Sequence, residues 1–126
     1  MLPSTLNLDS VRNFLLEKEQ ARQRILDERF NQICHECSRI IMHIARNHRV
    51  HRIYQWGSLL DRSRFSEISD VDIALEGVKD YQEFSLILGE AEKMTDFPLD
   101  LVEMEHVGKE NAQYIRETGR LVYEQK

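Results

Sequence analysis

Asp70 and Asp72 stand one residue apart at the head of an apolar run formed by Val71, Ile73 and Leu75. Successive side chains of a strand point to opposite faces. This alternation therefore puts both carboxylates on one face, about 6.5 to 7 Å apart at the backbone, and the aliphatic residues on the other. Two carboxylates that converge on one point suit Mg²⁺, a hard ion usually held by one or two carboxylates together with substrate phosphates. Upstream, Gly57-Ser58 makes a turn leaving a strand that ends at Trp56, and a polar, basic stretch joins the turn to the acids. Such an arrangement can hold a metal triphosphate. Arg62 and Arg64 are the nearest cations for it, and a third acid, Asp100, lies on a later apolar run with Glu103 and Glu105 close by.

These residues need a sheet to position them. Val50 to Trp56 reads as a first strand, rich in β-branched and aromatic residues and ended by Gly57. Ser58 to Arg64 reads as a helical turn, Phe65 to Ser69 as a loop, and Asp70 to Glu76 as a second strand. A helix over Tyr81 to Met94 stops before Thr95-Asp96-Phe97-Pro98. Leu99 to Met104 gives a third strand, Val107 to Thr118 a last helix with Gly119 as its C-cap, and Leu121 to Tyr123 a short edge strand. Before all of this, residues 1 to 8 form a leader, and Asp9 or Ser10 caps a helix starting near Val11 and ending near Asn47-His48. Its apolar stripe includes Val11, Phe14, Leu15, Ile25, Leu26, Phe30, Ile33, Cys37, Ile40, Ile41 and Ile44. Neither Gly nor Pro interrupts residues 4 to 56, so one long helix and two helices broken near Asp27 to Asn31 are both compatible with the pattern. The stripe reads first as core packing against the sheet and second as a partner surface. The fold class is α/β (α+β), a small mixed sheet flanked by helices, with a helical extension over residues 1–49 and a core over 50–126.

At 126 residues, with 41% hydrophobic and 31% charged residues, the chain suits one soluble domain. A net charge of -5 argues against general binding of nucleic acid or anionic membrane, which wants a basic face. No apolar run is long enough to span a bilayer, and Met1-Leu2-Pro3-Ser4 does not have the layout of a secretory signal, so the expected location is the cytoplasm. Cys34 and Cys37 form a Cys-x-x-Cys pair, followed by His43, His48 and His51. A structural zinc site wants a second ligand pair at matching spacing, and a redox pair wants a strand-to-helix entry. Two small residues on a helix of a reduced protein is the plainer reading.

Gly57-Ser58, followed after 11 intervening residues by Asp70-Val71-Asp72, resembles the signature of the DNA polymerase beta-like nucleotidyltransferase superfamily. The compact chain, the third acid in Leu99-Asp100-Leu101-Val102 and the ending Tyr114 to Tyr123 are similar to its minimal nucleotidyltransferases, small proteins often paired as antitoxins with a helical HEPN-domain toxin. The resemblance covers about residues 50 to 124. It implies that Asp70 and Asp72 ligate one or two Mg²⁺ ions, that Asp100 completes the triad and acts on the attacking hydroxyl, and that Gly57 and Ser58 admit the triphosphate. Where the family commonly has an arginine, then a glycine, and one residue fewer before the acids, this chain has Asp61-Arg62-Ser63. The difference bears on triphosphate grip and rate.

The resemblance implies an enzyme that transfers AMP from ATP to a hydroxyl of a HEPN-domain partner, within a homo- or hetero-oligomer. Two further readings stay open. One is an antitoxin that neutralises its partner by contact alone. The other is a modifier of small molecules of the aminoglycoside type, which the acidic balance permits but which usually needs an added substrate domain.

Overall fold

The computed structural model describes residues 7–126. The leader expected over residues 1 to 8 falls mostly outside this range, as does the stretch Met1 to Ser4. Helix α1 runs unbroken over Leu8–Asn47, 40 residues, which at 1.5 Å per residue is about 60 Å. Its cap is Asn7 rather than Asp9 or Ser10, with Asn7 Oδ1 accepting from Asp9 N–H at 2.8 Å. Asparagine caps as well as aspartate, and Asp9 then sits in the first turn, where its charge suits the helix dipole. His48 ends the helix in extended conformation.

Strands β1 (Arg52–Trp56), β2 (Val71–Glu76), β3 (Leu99–Glu103) and β4 (Arg120–Glu124) form one sheet in the order β3-β2-β1-β4. β1 pairs antiparallel with both β2 and β4, and β2 pairs parallel with β3. The parallel pair is joined by helix α2 (Tyr81–Glu92), capped by Asp80, whose side chain accepts from Glu83 N–H. Helix α3 (Lys109–Thr118) leads into β4. Gly119 ends α3 in extended rather than left-handed conformation. Closeness is its role there, since a Cβ would stand 2.5 Å from the Ile115 carbonyl oxygen and 3.0 Å from that of Gln55.

The sheet has two covered faces. Ile53, Val71, Ile73, Leu75 and Leu101 pack with Ile33, Cys37, Ile40 and Ile44 of α1 and Ile87 and Ala91 of α2. On the other face Tyr54, Ala74 and Met104 pack with Ala112 and Ile115 of α3. Only part of α1 takes part. Its buried residues begin at Leu26, so the turns from Leu8 to Ile25, about 27 Å of helix, extend past the core. The stripe therefore divides. From Leu26 onward it is core, whereas Leu8, Phe14, Leu15, Leu16 and Ile25 are exposed. Among the described residues no helix is long and apolar enough to cross a membrane.

Candidate functional site

The alternation of β2 sends Val71, Ile73 and Leu75 to the α1–α2 face and Ala74 to the α3 face, so Asp72 lies on the α3 side. Register partners share a face. Trp56 of β1 pairs with Asp72, and Asp72 pairs with Asp100 of β3, which sets Trp56, Asp72 and Asp100 in a row across three strands spaced about 4.8 Å apart. Asp70 lies just before β2, which begins where Val71 N–H donates to the Pro98 carbonyl at 2.8 Å. Register also separates Asp100 from its acidic neighbours. Glu103 pairs with Leu75 further along β2 and meets His106 Nδ1 at 2.8 Å, while Glu105 accepts from Gly77 N–H.

Burial raises the Asp72 carboxyl to about 7, and the Asp100 and Asp70 carboxylates push the same way. All three influences disfavour a bare negative charge at this point. A hard divalent cation would reverse that balance, so the donor set fits Mg²⁺. Behind the acid lies Gly57, with φ at 82° and its backbone so near Asp72 that a Cβ would meet Oδ2 at 2.1 Å. What approaches this glycine is the carboxylate of the acid row. The glycine was legible in the sequence; its neighbour was not.

Ser58 follows in a 3-10 turn over Gly57–Leu60, and a second turn covers Arg62–Arg64. Asp61 caps the second turn, accepting from Ser63 N–H at 3.0 Å and Ser63 Oγ at 2.7 Å. These hydrogen bonds hold its carboxyl below the usual range, with a smaller contribution from Arg64. Arg62 turns toward α1. Its Nε donates to Asp27 at 2.6 Å and its Nη2 to Gln23 at 3.1 Å, and the guanidinium lies 6.0 Å from the Phe30 ring and 5.9 Å from the Phe65 ring. Phe65 is buried edge-on against Phe30, with centroids 5.3 Å apart, and Arg22 meets Glu67 at 3.5 Å. The stretch between turn and acids is thus tied down by the helix. Arg64 forms no ion pair among the described residues and is exposed.

Beside the acid row, a cavity of about 250 Å³ opens between sheet and α3, lined by Trp56, Val102, Val107, Asn111, Tyr114 and Ile115. The sequence signal for it, an aromatic residue at the strand end one step before Gly57, was visible but had no evident partner. Cys34 and Cys37 are both free thiols. Burial, with Cys34 and Asp72 adding to it, pushes Cys37 up to about 12, which leaves it inert as a thiolate.

The family described as "Polymerase beta, Nucleotidyltransferase" matches residues 38–126. The chain belongs to this family. The nucleotidyltransferase also resembles chains of solved structures. One is a toxin–antitoxin with AMP-PNP, 20% identical, with a TM-score of 0.56, covering 70% of this chain and 73% of that one. Another is the tri-AMPylated Shewanella oneidensis HEPN toxin in complex with MNT antitoxin, 19% identical, with a TM-score of 0.54, covering 74% and 73%. A third, the toxin–antitoxin MntA-HepT, is 19% identical with a TM-score of 0.53, and 71% of each chain is covered. At these identities the likeness is one of fold. No curated protein matches the nucleotidyltransferase.

Proposed function

We propose that this nucleotidyltransferase is Mg²⁺-dependent and transfers AMP from ATP to a hydroxyl of a HEPN-domain partner, as the antitoxin of a cytoplasmic toxin–antitoxin pair. The observation that carries the reading is the pairing of Asp72 with Asp100 across β2 and β3, with Asp70 two residues upstream. Asp70, Asp72 and Asp100 would hold one or two Mg²⁺ ions. Bound there, the ion would neutralise triphosphate oxygens and the leaving group. Asp100 would also accept the proton of the attacking hydroxyl. Gly57 leaves room for the Asp72 carboxylate, and Ser58 would offer a hydroxyl and an amide to the phosphates. Arg64 is the cation left to them, while Arg62 orders the loop from behind. The Trp56 cavity, with apolar walls and the Asn111 amide, suits a nucleobase. The exposed apolar residues of α1, in the extension over residues 1–49 that precedes the core over 50–126, would meet the partner.

Labelled ATP, Mg²⁺, this protein and the HEPN-domain product of a neighbouring gene test the reading directly. Label should move to the partner and be lost with Asp70→Asn/Asp72→Asn. Absence of transfer with each of the four nucleotides, or equal transfer by the double variant, overturns it. Neutralisation by contact alone is the second reading, favoured by the exposed apolar turns of α1. Full protection of cells by the double variant would select it.

A further inference from the structure

On the layer opposite the acid row, the end of α1 meets α2 through side chains that the nucleotidyltransferase reading does not use. His43 Nε2 and His48 Nε2 both reach one oxygen of Glu90, Oε1, at 2.6 and 2.9 Å. The three donor atoms lie within 4.8 Å of one another. An ordinary surface pair would be one histidine on one carboxylate. Here two imidazoles converge on a single oxygen, and the His48 ring has its other nitrogen held from outside. His48 Nδ1 meets Glu83 Oε1 at 2.5 Å.

We infer that His43, His48 and Glu90 form a site for a divalent transition ion of the Zn²⁺ class, with Glu83 as the outer support of His48. Two imidazole nitrogens and one carboxylate oxygen are the ligand types Zn²⁺ takes, with a fourth position open to water. Metal-bound histidines characteristically donate their second ring N–H to a carboxylate, a carbonyl or water, as His48 can to Glu83, which orients the ring and sets the tautomer. Ligands around a tetrahedral ion with bonds of about 2.0–2.2 Å sit about 3.3–3.6 Å apart, so each imidazole nitrogen need draw back from Glu90 Oε1 by about 0.4–1 Å, within reach of side-chain rotation. Binding displaces the protons that bridge Glu90 to the two rings. His43 lies in the last turns of α1 and His48 caps it, so the ion would lock the end of that helix onto α2. Open access fits a site loaded from solution, since His43 and Glu90 side chains are each about a third exposed, at 32% and 37%.

The test uses the full chain stripped with EDTA and kept in excess Mg²⁺, so that the aspartates are occupied. Zn²⁺ is titrated in competition with a chromogenic chelator, and Co²⁺ is used for its spectrum. One equivalent should bind, with thermal stability raised, and His43→Gln and Glu90→Gln should each weaken binding at least tenfold. Both substitutions are at part-exposed helical positions, and far-UV circular dichroism confirms their folding. A Cys34→Ser/Cys37→Ala variant should bind as the parent does, and Co²⁺ should give no thiolate charge-transfer band. No Zn²⁺ taken from the chelator, undiminished binding by His43→Gln, or a thiolate band would overturn the inference.

Discussion

Gly57 and Asp72 are fitted to each other: the glycine's left-handed φ of 82° and its missing side chain leave room for the Asp72 carboxylate, which a Cβ would overlap at 2.1 Å. Gly57→Ala should therefore cost about 2–3 kcal/mol of stability, from backbone strain and the clash together. In an Asp72→Ala background the same change should cost about 1 kcal/mol less, because only strain remains. Urea unfolding of the four proteins measures the coupling. Equal costs in both backgrounds would mean that the acid moves aside freely.

The raised Asp72 carboxyl gives the site a pH signature. Its folded value of about 7 stands above the ordinary 3.8, so the folded state holds the proton more tightly. The resulting stability is complete below about pH 4 and is lost as pH rises through 7. Without Mg²⁺, Asp72→Asn should be more stable than the parent by about 1–2 kcal/mol at pH 8, after allowance for its partial exposure, and no different near pH 4. Adding Mg²⁺ should stabilise the parent alone. Denaturant titrations at the two pH values, with and without Mg²⁺, provide the check.

Arg62 and Arg64 should part company. Arg62 is tied to Asp27 and Gln23 of α1, so Arg62→Ala should lower stability by about 0.5–1 kcal/mol and speed proteolysis between Leu59 and Ser69. Arg64→Ala should leave stability unchanged and weaken nucleotide binding. Limited proteolysis beside a fluorescent-ATP titration distinguishes the two. A stable, uncut Arg62→Ala protein with weakened nucleotide binding would move Arg62 to the phosphates.

How much of this was legible in the sequence depends on the range over which each feature is determined. Strand period alone set Asp72 on the face opposite Val71, Ile73 and Leu75, while Asp70, expected to open the strand, stands just before it; the helix and strand order follows from punctuation by Gly, Pro and Asp. The level of Asp100 against Asp72 depends on strand register, which arises from packing across the whole sheet and not from neighbours in the chain. The same holds for Arg62, whose partner Asp27 lies 35 positions away, and for His48, whose partners Glu83 and Glu90 lie 35 and 42 away. Periodicity gave the apolar stripe of α1. It could not say where the sheet beneath that stripe stops, and that boundary makes Ile25 surface and Leu26 core.

His48 supplies a second pH dependence, on the other layer. Burial lowers its pKa, but hydrogen bonds to Glu90 and Glu83 and their charges outweigh this, and the net shift is upward from 6.5. His43 is the other titratable group against Glu90. Stability from this cluster is complete below about pH 6.5 and is lost as pH rises through the raised value. With EDTA present, the melting temperature should fall from pH 6 to pH 9, and His48→Gln should flatten the fall while Asp72→Asn leaves this part in place. Thermal scans across that range decide it; an unchanged slope in His48→Gln would rule the cluster out as the source.

The division of α1 into a packed half and a projecting half makes it two thermodynamic phases in one helix. About 18 residues of isolated helix are marginal in water, since nucleation is costly and only packing repays it. Amide hydrogens from Leu26 to Ile44 should thus exchange only with global opening, whereas those from Val11 to Glu19, ahead of the contacts of Arg22 and Gln23 with the loop, should exchange by fraying, orders of magnitude faster. Any partner that seats on Phe14, Leu15 and Leu16 would have to supply the ordering entropy of these turns, and would leave its footprint as slowed exchange in them.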